Sequence, residues 1–555
     1  FSDLPYERPD IRAFAAGMRR HASRLARAKD VGEAAFVIAS ADADVRHFDT
    51  AWSVAQLRYS LDTGDGFYRE EVRFFEKALP REEKARLALT RAVLASPLKG
   101  ELAEKYGEIF IKRLEAEAAS FSGKTEALAK KQNALAAEYC DVLYGGRIEL
   151  FGETVTLPQA APIGEEENDG RRRAAWRAVG AFFNENGKRF DDIFAGLVSL
   201  RSEEAKRLGF EKYTDLAYRR MERCFGREDA EGFRKAAKRE LVPLAEAMYR
   251  RRAAEAGLDY PLDFADTLPR SPGGDPRAEP GRIKDAAVAL LRELSPETGE
   301  FAERMLAAGA FDIGTGERKA GGGFCAQLPD FGMPFVFANL SGTGADVTTL
   351  THELGHAFAT WCARDIAPEA LRLPTMEAQE TCAMGMELLA MPRADLFFGA
   401  DAGRYEASHM ASAVCLIPYA AMVDAFQHAV YDSPEMTPEE RHDVWRGLIK
   451  EYMPWVRLDG KTPFFGEGKH WQRQSHIFEE PFYYIDYGLA QTAAFGFAGG
   501  GREAMEKFLA FARAGGKKTF AGLLELAELP SPFEAETLAA VRRNAEELLG
   551  KAGRL

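Results

Sequence analysis

Apolar residues recur at the three-to-four spacing of an α-helix through most of this 555-residue chain, and the pattern lapses at only a few places. Such a chain must pack helix on helix, with any sheet confined to the lapses. Asp10 serves as N-cap of a helix predicted over 11–27, and helical periodicity continues to about Tyr139. Across 144–158, β-favouring residues flank Phe151-Gly152-Glu153 and predict a short hairpin, followed by an acidic loop over 164–170. The helical pattern resumes at Arg171 and runs to about Glu255. Residues 261–280, with the Pro- and Gly-rich stretch 271–276, read as loop because proline removes a donor and fixes φ. Within 320–344 a glycine run and a Pro-containing turn precede the apolar run 334–340, a predicted strand. From Asp346 onward the chain reads as helical, interrupted near Pro392, Pro434, 458–468 and 530–532. The fold class is mostly α with a small β element, divided into an N-terminal helical region with a hairpin (1–170) and a second region (171–555).

The net charge of -13 argues against non-specific nucleic-acid binding, which needs clustered Lys and Arg, and reads as solubility. The six cysteines are scattered without a CxxC pair, so reduced thiols are expected. No run of about 18 uninterrupted apolar residues occurs, and residues 1–20 carry charges throughout. No membrane partner and a cytoplasmic address are the expectations.

His352-Glu353-Leu354-Gly355-His356 is an HExxH motif, which on a helix sets two imidazoles at i and i+4 on one face. Two such nitrogens reach one zinc ion, while Glu353 is placed to take a proton from water rather than to bind metal. The context agrees: residues 344–350 supply a helix start, with Asp346 as N-cap, and 357–362 continue it without a breaker. A third ligand sets the class. A metzincin needs Gly and His three and six residues after the second His, where Ala359 and Cys362 stand. A Glu at nineteen or twenty residues is excluded by Thr375 and Met376. Glu380, 24 residues after His356, lies in an otherwise apolar helical stretch over 375–391, with Glu377 and Glu387 near the same face. Buried carboxylates need partners, so Glu380 is expected as the third ligand and Glu387 as the group orienting a ligand histidine.

In order along the chain, the Gly-rich segment and edge strand over 321–340, the turn Ser341-Gly342-Thr343-Gly344, HELGH and Glu380 resemble the M3 metallopeptidases, in the oligoendopeptidase F branch related to thimet oligopeptidase. The resemblance implies a two-lobed helical shell around a deep channel with one zinc per chain at its floor, and 171–555 as the catalytic region. Arg473-Gln474-Ser475-His476 and Phe482-Tyr483-Tyr484-Ile485-Asp486-Tyr487 look like the family's His and Tyr cluster. The resemblance implies hydrogen bonds from His476 and tyrosines to the reacting carbonyl oxygen. Phenolic donors suit that role, and Tyr484 and Tyr487 are the first choices with Tyr483 as substitute. The IFEEPF spacing after His476 departs from the thimet-like pattern. Short peptides are the implied substrates, with 334–340 pairing to them as an added strand. A related peptidyl-dipeptidase or carboxypeptidase, and a catalytically silent peptide-binding protein, are the alternative readings.

Overall fold

A computed structural model describes residues 4–551 except 121, 167 and 269–275. It is mostly helical, with two small sheets among the described residues. Asp10 accepts hydrogen bonds from the amides of Arg12 and Ala13 and so starts the helix Ile11–Leu25, which ends two residues before the predicted 27. Helices Val31–Leu61, Gly66–Leu94, Lys99–Tyr106 and Glu108–Ser120 complete an N-terminal layer.

The predicted hairpin forms from β1 (Arg147–Leu150) and β2 (Glu153–Thr156), antiparallel with Ile148 opposite Val155. Its two turn residues, Phe151 and Gly152, both have positive φ, the backbone of a tight two-residue hairpin turn. The acidic loop is shorter than expected. Thr156 and Gln159 form a capping box that starts a short helix, Leu157–Gly164, and Asn168 caps the long helix Asp169–Arg207. Residues 269–275, and with them most of the Pro- and Gly-rich stretch 271–276, lie outside the described residues. The flanking 261–268 holds a turn of 3-10 helix at Phe264–Asp266 and is otherwise irregular, as predicted.

The second sheet corrects the sequence reading. It holds β3 (Phe311–Asp312), β4 (Gly323–Ala326) and β5 (Phe335–Ala338) in the order β3-β5-β4. The run predicted over 334–340 is therefore the central strand, parallel to β3 and antiparallel to β4, and all four of its residues are buried. A strand paired on both sides has no backbone left for a peptide. The outer edge belongs to β4, whose glycine-rich sequence disguised it.

Buried side chains from Tyr139 to Leu549 form one continuous core, whereas those before Leu114 gather in smaller clusters, some joined by residues such as Ile366 and Phe337. The packing thus changes character between Leu114 and Tyr139. The stretch Asp395–Asp432 is long and apolar enough to cross a membrane by length and composition, but 72% of its apolar window is buried inside the protein. Its main helix, Ala402–Asp432, packs against Arg227–Ala256 and Ile485–Ala494.

Candidate metal centre

The HELGH motif lies in the helix Gly344–Ala363. Its N-cap is Thr343, not the expected Asp346: Thr343 accepts from the Asp346 amide. Asp346, one turn inside, reaches back to the amides of Ser341, Gly342 and Thr343. Sequence reading picked the right carboxylate but placed the helix start three residues late. Beside this helix runs Met376–Ala390, which carries Glu380. The two approach closely because Gly355 has no side chain: a Cβ there would lie 2.6 Å from Cys382 O and 2.6 Å from Ala383 Cα.

That contact brings three donors together. Among the described residues, His352, His356 and Glu380 form a cluster whose ligand atoms all lie within 4.8 Å of one another. Glu380 Oε2 is 3.2 Å from His352 Nε2 and 3.8 Å from His356 Nε2. Close as they are, Glu380 Oε2 is a buried oxygen without a hydrogen-bond partner of good geometry among the described residues. Ligands about 2.1 Å from one zinc at tetrahedral angles sit roughly 3.4 Å apart, so this nitrogen, nitrogen and carboxylate set fits a catalytic zinc site.

The electrostatics point the same way. Burial alone lowers the His352 imidazole, but Glu380 and Glu387 outweigh it and push it well above its ordinary value. His356 is lowered by burial to about 4. Burial raises Glu380, but His352, His356 and the Tyr483 hydroxyl overcome this and hold it below the usual carboxylate range. Glu387 is likewise raised by burial, yet hydrogen bonds from His352 and His409 bring it to about 2. Two buried carboxylates converging on one imidazole favour positive charge, which a divalent cation at the meeting point of the three donors would supply.

Glu353 faces the same cavity of about 320 Å³, which His352, His356, Glu380 and Tyr487 also line. Burial, with Glu380 as a lesser contributor, pushes its carboxyl up, while His352 and the Cys325 backbone pull it down. Glu387 accepts from His352 Nδ1 at 2.7 Å, the contact expected of a group orienting that ring. Glu377 does not join the cluster. It is fully buried with both oxygens unpartnered, raised by burial, and its opposing charge is Arg223.

The tyrosines divide differently from the expected pair. Tyr483 donates to Glu380 Oε1 at 2.5 Å and Tyr487 lines the cavity, whereas Tyr484 packs on Tyr419 and the His476 ring and touches neither. Tyr484 stands just before the helix Ile485–Ala494, in αR backbone, and its ring packs on that of Tyr487 with centroids 5.4 Å apart. His476 Nδ1 lies 2.9 Å from the Gln474 amide nitrogen, which leaves the ring proton on Nε2, 3.4 Å from the Tyr487 hydroxyl. Burial lowers the His476 imidazole, which keeps it neutral. Sequence reasoning missed His409, whose Nε2 lies 2.8 Å from Glu387 Oε2. A single histidine on an apolar helix carries no signal of that contact.

The cavity continues past β4. A second void of about 650 Å³ shares Phe324, Cys325, Gln327 and Leu373 with the first and is otherwise walled mainly by the N-terminal helices.

Comparison with known proteins accords with this geometry. The chain matches the Peptidase M3 N-terminal domain over residues 1–121 and Peptidase family M3 over residues 298–540. No curated protein matches it. Among solved structures it is similar to PZ peptidase A with inhibitor 2, at 34% identity and a TM-score of 0.93 over 99% of each chain. An oligoendopeptidase F structure matches at 33% identity and a TM-score of 0.91, over 99% of this chain and 98% of that one. Another, from Bacillus anthracis str. Ames, matches at 32% identity and a TM-score of 0.88 over the same shares. With this degree of likeness along its whole length, the chain belongs to peptidase family M3, in the oligoendopeptidase F branch.

Proposed function

We propose that this peptidase is a zinc-dependent endopeptidase of short oligopeptides, with His352, His356 and Glu380 as metal ligands and Glu353 as general base. The observation that carries the reading is the convergence of the three donor atoms, one of them an unpartnered buried carboxylate oxygen, in the cavity that Glu353 also faces. Zinc held there supplies a Lewis acid that acidifies water and polarises a carbonyl. Glu353, its carboxylate free of any competing cationic side chain except His352, takes the proton from the attacking water and returns it to the leaving amine. Tyr487, with the Nε2–H of His476 beside it, donates to the oxyanion, and Tyr483 holds Glu380 in place.

The substrate lies along β4. Hydrogen bonding of Asn339 N to Gly322 O fixes the alternation of the antiparallel pair, so Phe324 and Ala326 bond to β5 while Cys325 turns its N–H and C=O outward. Cys325 lines the cavity with its N–H toward the Glu353 carboxylate, and its C=O gives a peptide backbone a partner independent of side-chain identity. The six cysteines are all free thiols, which supports a reducing, cytoplasmic compartment.

Glu353→Gln tests the base. The variant is expected to bind one zinc as the wild type does and to lose at least about 10²-fold in kcat on a quenched peptide blocked at both ends. Wild-type turnover by that variant with zinc bound rejects the assignment. Product analysis of the same blocked peptide distinguishes internal from terminal cleavage.

A further inference from the structure

Glu387 is held from both sides. Its Oε1 meets His352 Nδ1 at 2.7 Å and its Oε2 meets His409 Nε2 at 2.8 Å, so three side chains from three helices stand in one hydrogen-bonded line. Glu387 and His409 are both buried, and among the described residues no other hydrogen bond to the Glu387 carboxylate is found. His352 Nε2, at the other end of the line, is the nitrogen beside Glu380 Oε2.

The outer end of the line borders a different cavity from the catalytic one. His409 borders a separate cavity of about 460 Å³ beside the first turns of the HELGH helix, lined also by Thr348, Tyr405, Ser412 and Gln491. Its Nδ1 is buried without a protein partner, so the ring's one hydrogen bond to protein is the one to Glu387. Its ring contact is Tyr405, tilted, with centroids 5.8 Å apart. His409 is absent from the lining of the catalytic cavity.

We propose that His409 is a positioning residue of the metal centre: by donating from Nε2 to Glu387 it fixes the carboxylate that fixes His352. This rests on His352 being a zinc ligand. A buried carboxylate that loses one of two donors must reorient or take up a proton, and either change releases the second donor's ring from its metal-facing pose. Groups hydrogen-bonded directly to a ligand typically govern metal affinity by 10- to 100-fold, and His409 acts through one of them.

The test compares His409→Leu, which fills the space but cannot donate, with His409→Gln, whose Nε2 falls near the imidazole Nε2. Zinc affinity of the metal-depleted full-length proteins is measured by competition with a chromophoric chelator, alongside thermal melting and peptide hydrolysis at saturating zinc. Leu is expected to weaken zinc binding about 10- to 100-fold and lower kcat with KM unchanged, while Gln stays within a few-fold of wild type. A merely structural role predicts the reverse order, since Leu is the better core residue. Equal zinc affinity in the Leu and Gln variants overturns the proposal. If the Leu variant does not fold, His409→Asn replaces it, because its shorter amide sits near the Nδ1 position and cannot reach Glu387. Zinc binding by Asn as tight as by Gln then overturns the proposal. A wild-type protein that binds no zinc defeats the functional reading itself, an outcome distinct from either of these.

Discussion

At Gly355 there is room for a hydrogen and nothing more. A Cβ would meet Cys382 O and Ala383 Cα at 2.6 Å and Met386 Cβ at 2.9 Å, and two of those three are backbone atoms that cannot swing aside. Gly355→Ala must therefore push the His352/His356 helix away from the Glu380 helix. The expected cost is about 2–3 kcal/mol in urea unfolding, typical of overpacking, together with a loss of zinc affinity as the three donors separate. Unchanged zinc affinity in a folded Gly355→Ala protein means that helix separation does not set the site. This residue also marks how far sequence could reach. The HExxH spacing and the 24-residue step to Glu380 were legible because a helix turns spacing into direction. The choice of tyrosine was not, because Phe482, with positive φ, sits in an irregular segment where spacing says nothing about direction.

Among the elements, the HELGH helix owes its start to two side chains. Thr343 accepts the Asp346 amide, and Asp346 Oδ2 accepts the amides of Ser341, Gly342 and Thr343 and the Ser341 hydroxyl. Asp346→Ala leaves those amides without that acceptor and frees the turn that joins β5 to the helix. A loss of about 2 kcal/mol is expected from a cap combined with charge-assisted hydrogen bonds, read by chemical denaturation. A change under about 0.5 kcal/mol means water replaces the carboxylate at no cost, and the turn is held by other contacts. Elements defined by local chemistry, such as this helix, the hairpin at Phe151-Gly152 and the helix after Asp10, were legible in sequence. Those defined by pairing were not. β5 showed itself by its apolar run, but nothing local to Gly323–Ala326 announced a strand, because its register is dictated by β5 lying opposite.

For the whole molecule, the decisive relation is between the N-terminal helices and the catalytic half. Arg113, on Glu108–Ser120, donates to the carbonyls of Ala370 and Leu373, in the connection between the two helices that carry the candidate ligands. Residues from four N-terminal helices, among them Met18, Ile38, Leu89 and Phe110, wall the 650 Å³ void that continues from the catalytic cavity. On the proposed function, a substrate would reach Glu353 as an extended chain, advancing about 3.3 Å per residue along β4 beneath those helices. A folded domain of 100 residues, with a radius of gyration of about 13 Å, cannot bring an internal bond into so narrow a space. The enzyme is thus expected to cleave a peptide of about ten residues copied from an exposed loop of a stable protein. It should leave the same bond in the folded protein uncut, with rates at least about 10²-fold apart at equal concentration. Mass spectrometry of both digests reads the comparison, and the folded protein's own resistance is set by including a second protease known to cut that loop. Comparable rates on peptide and folded protein mean that the N-terminal helices open widely enough to admit a domain, and that size selection lies elsewhere than in this roof.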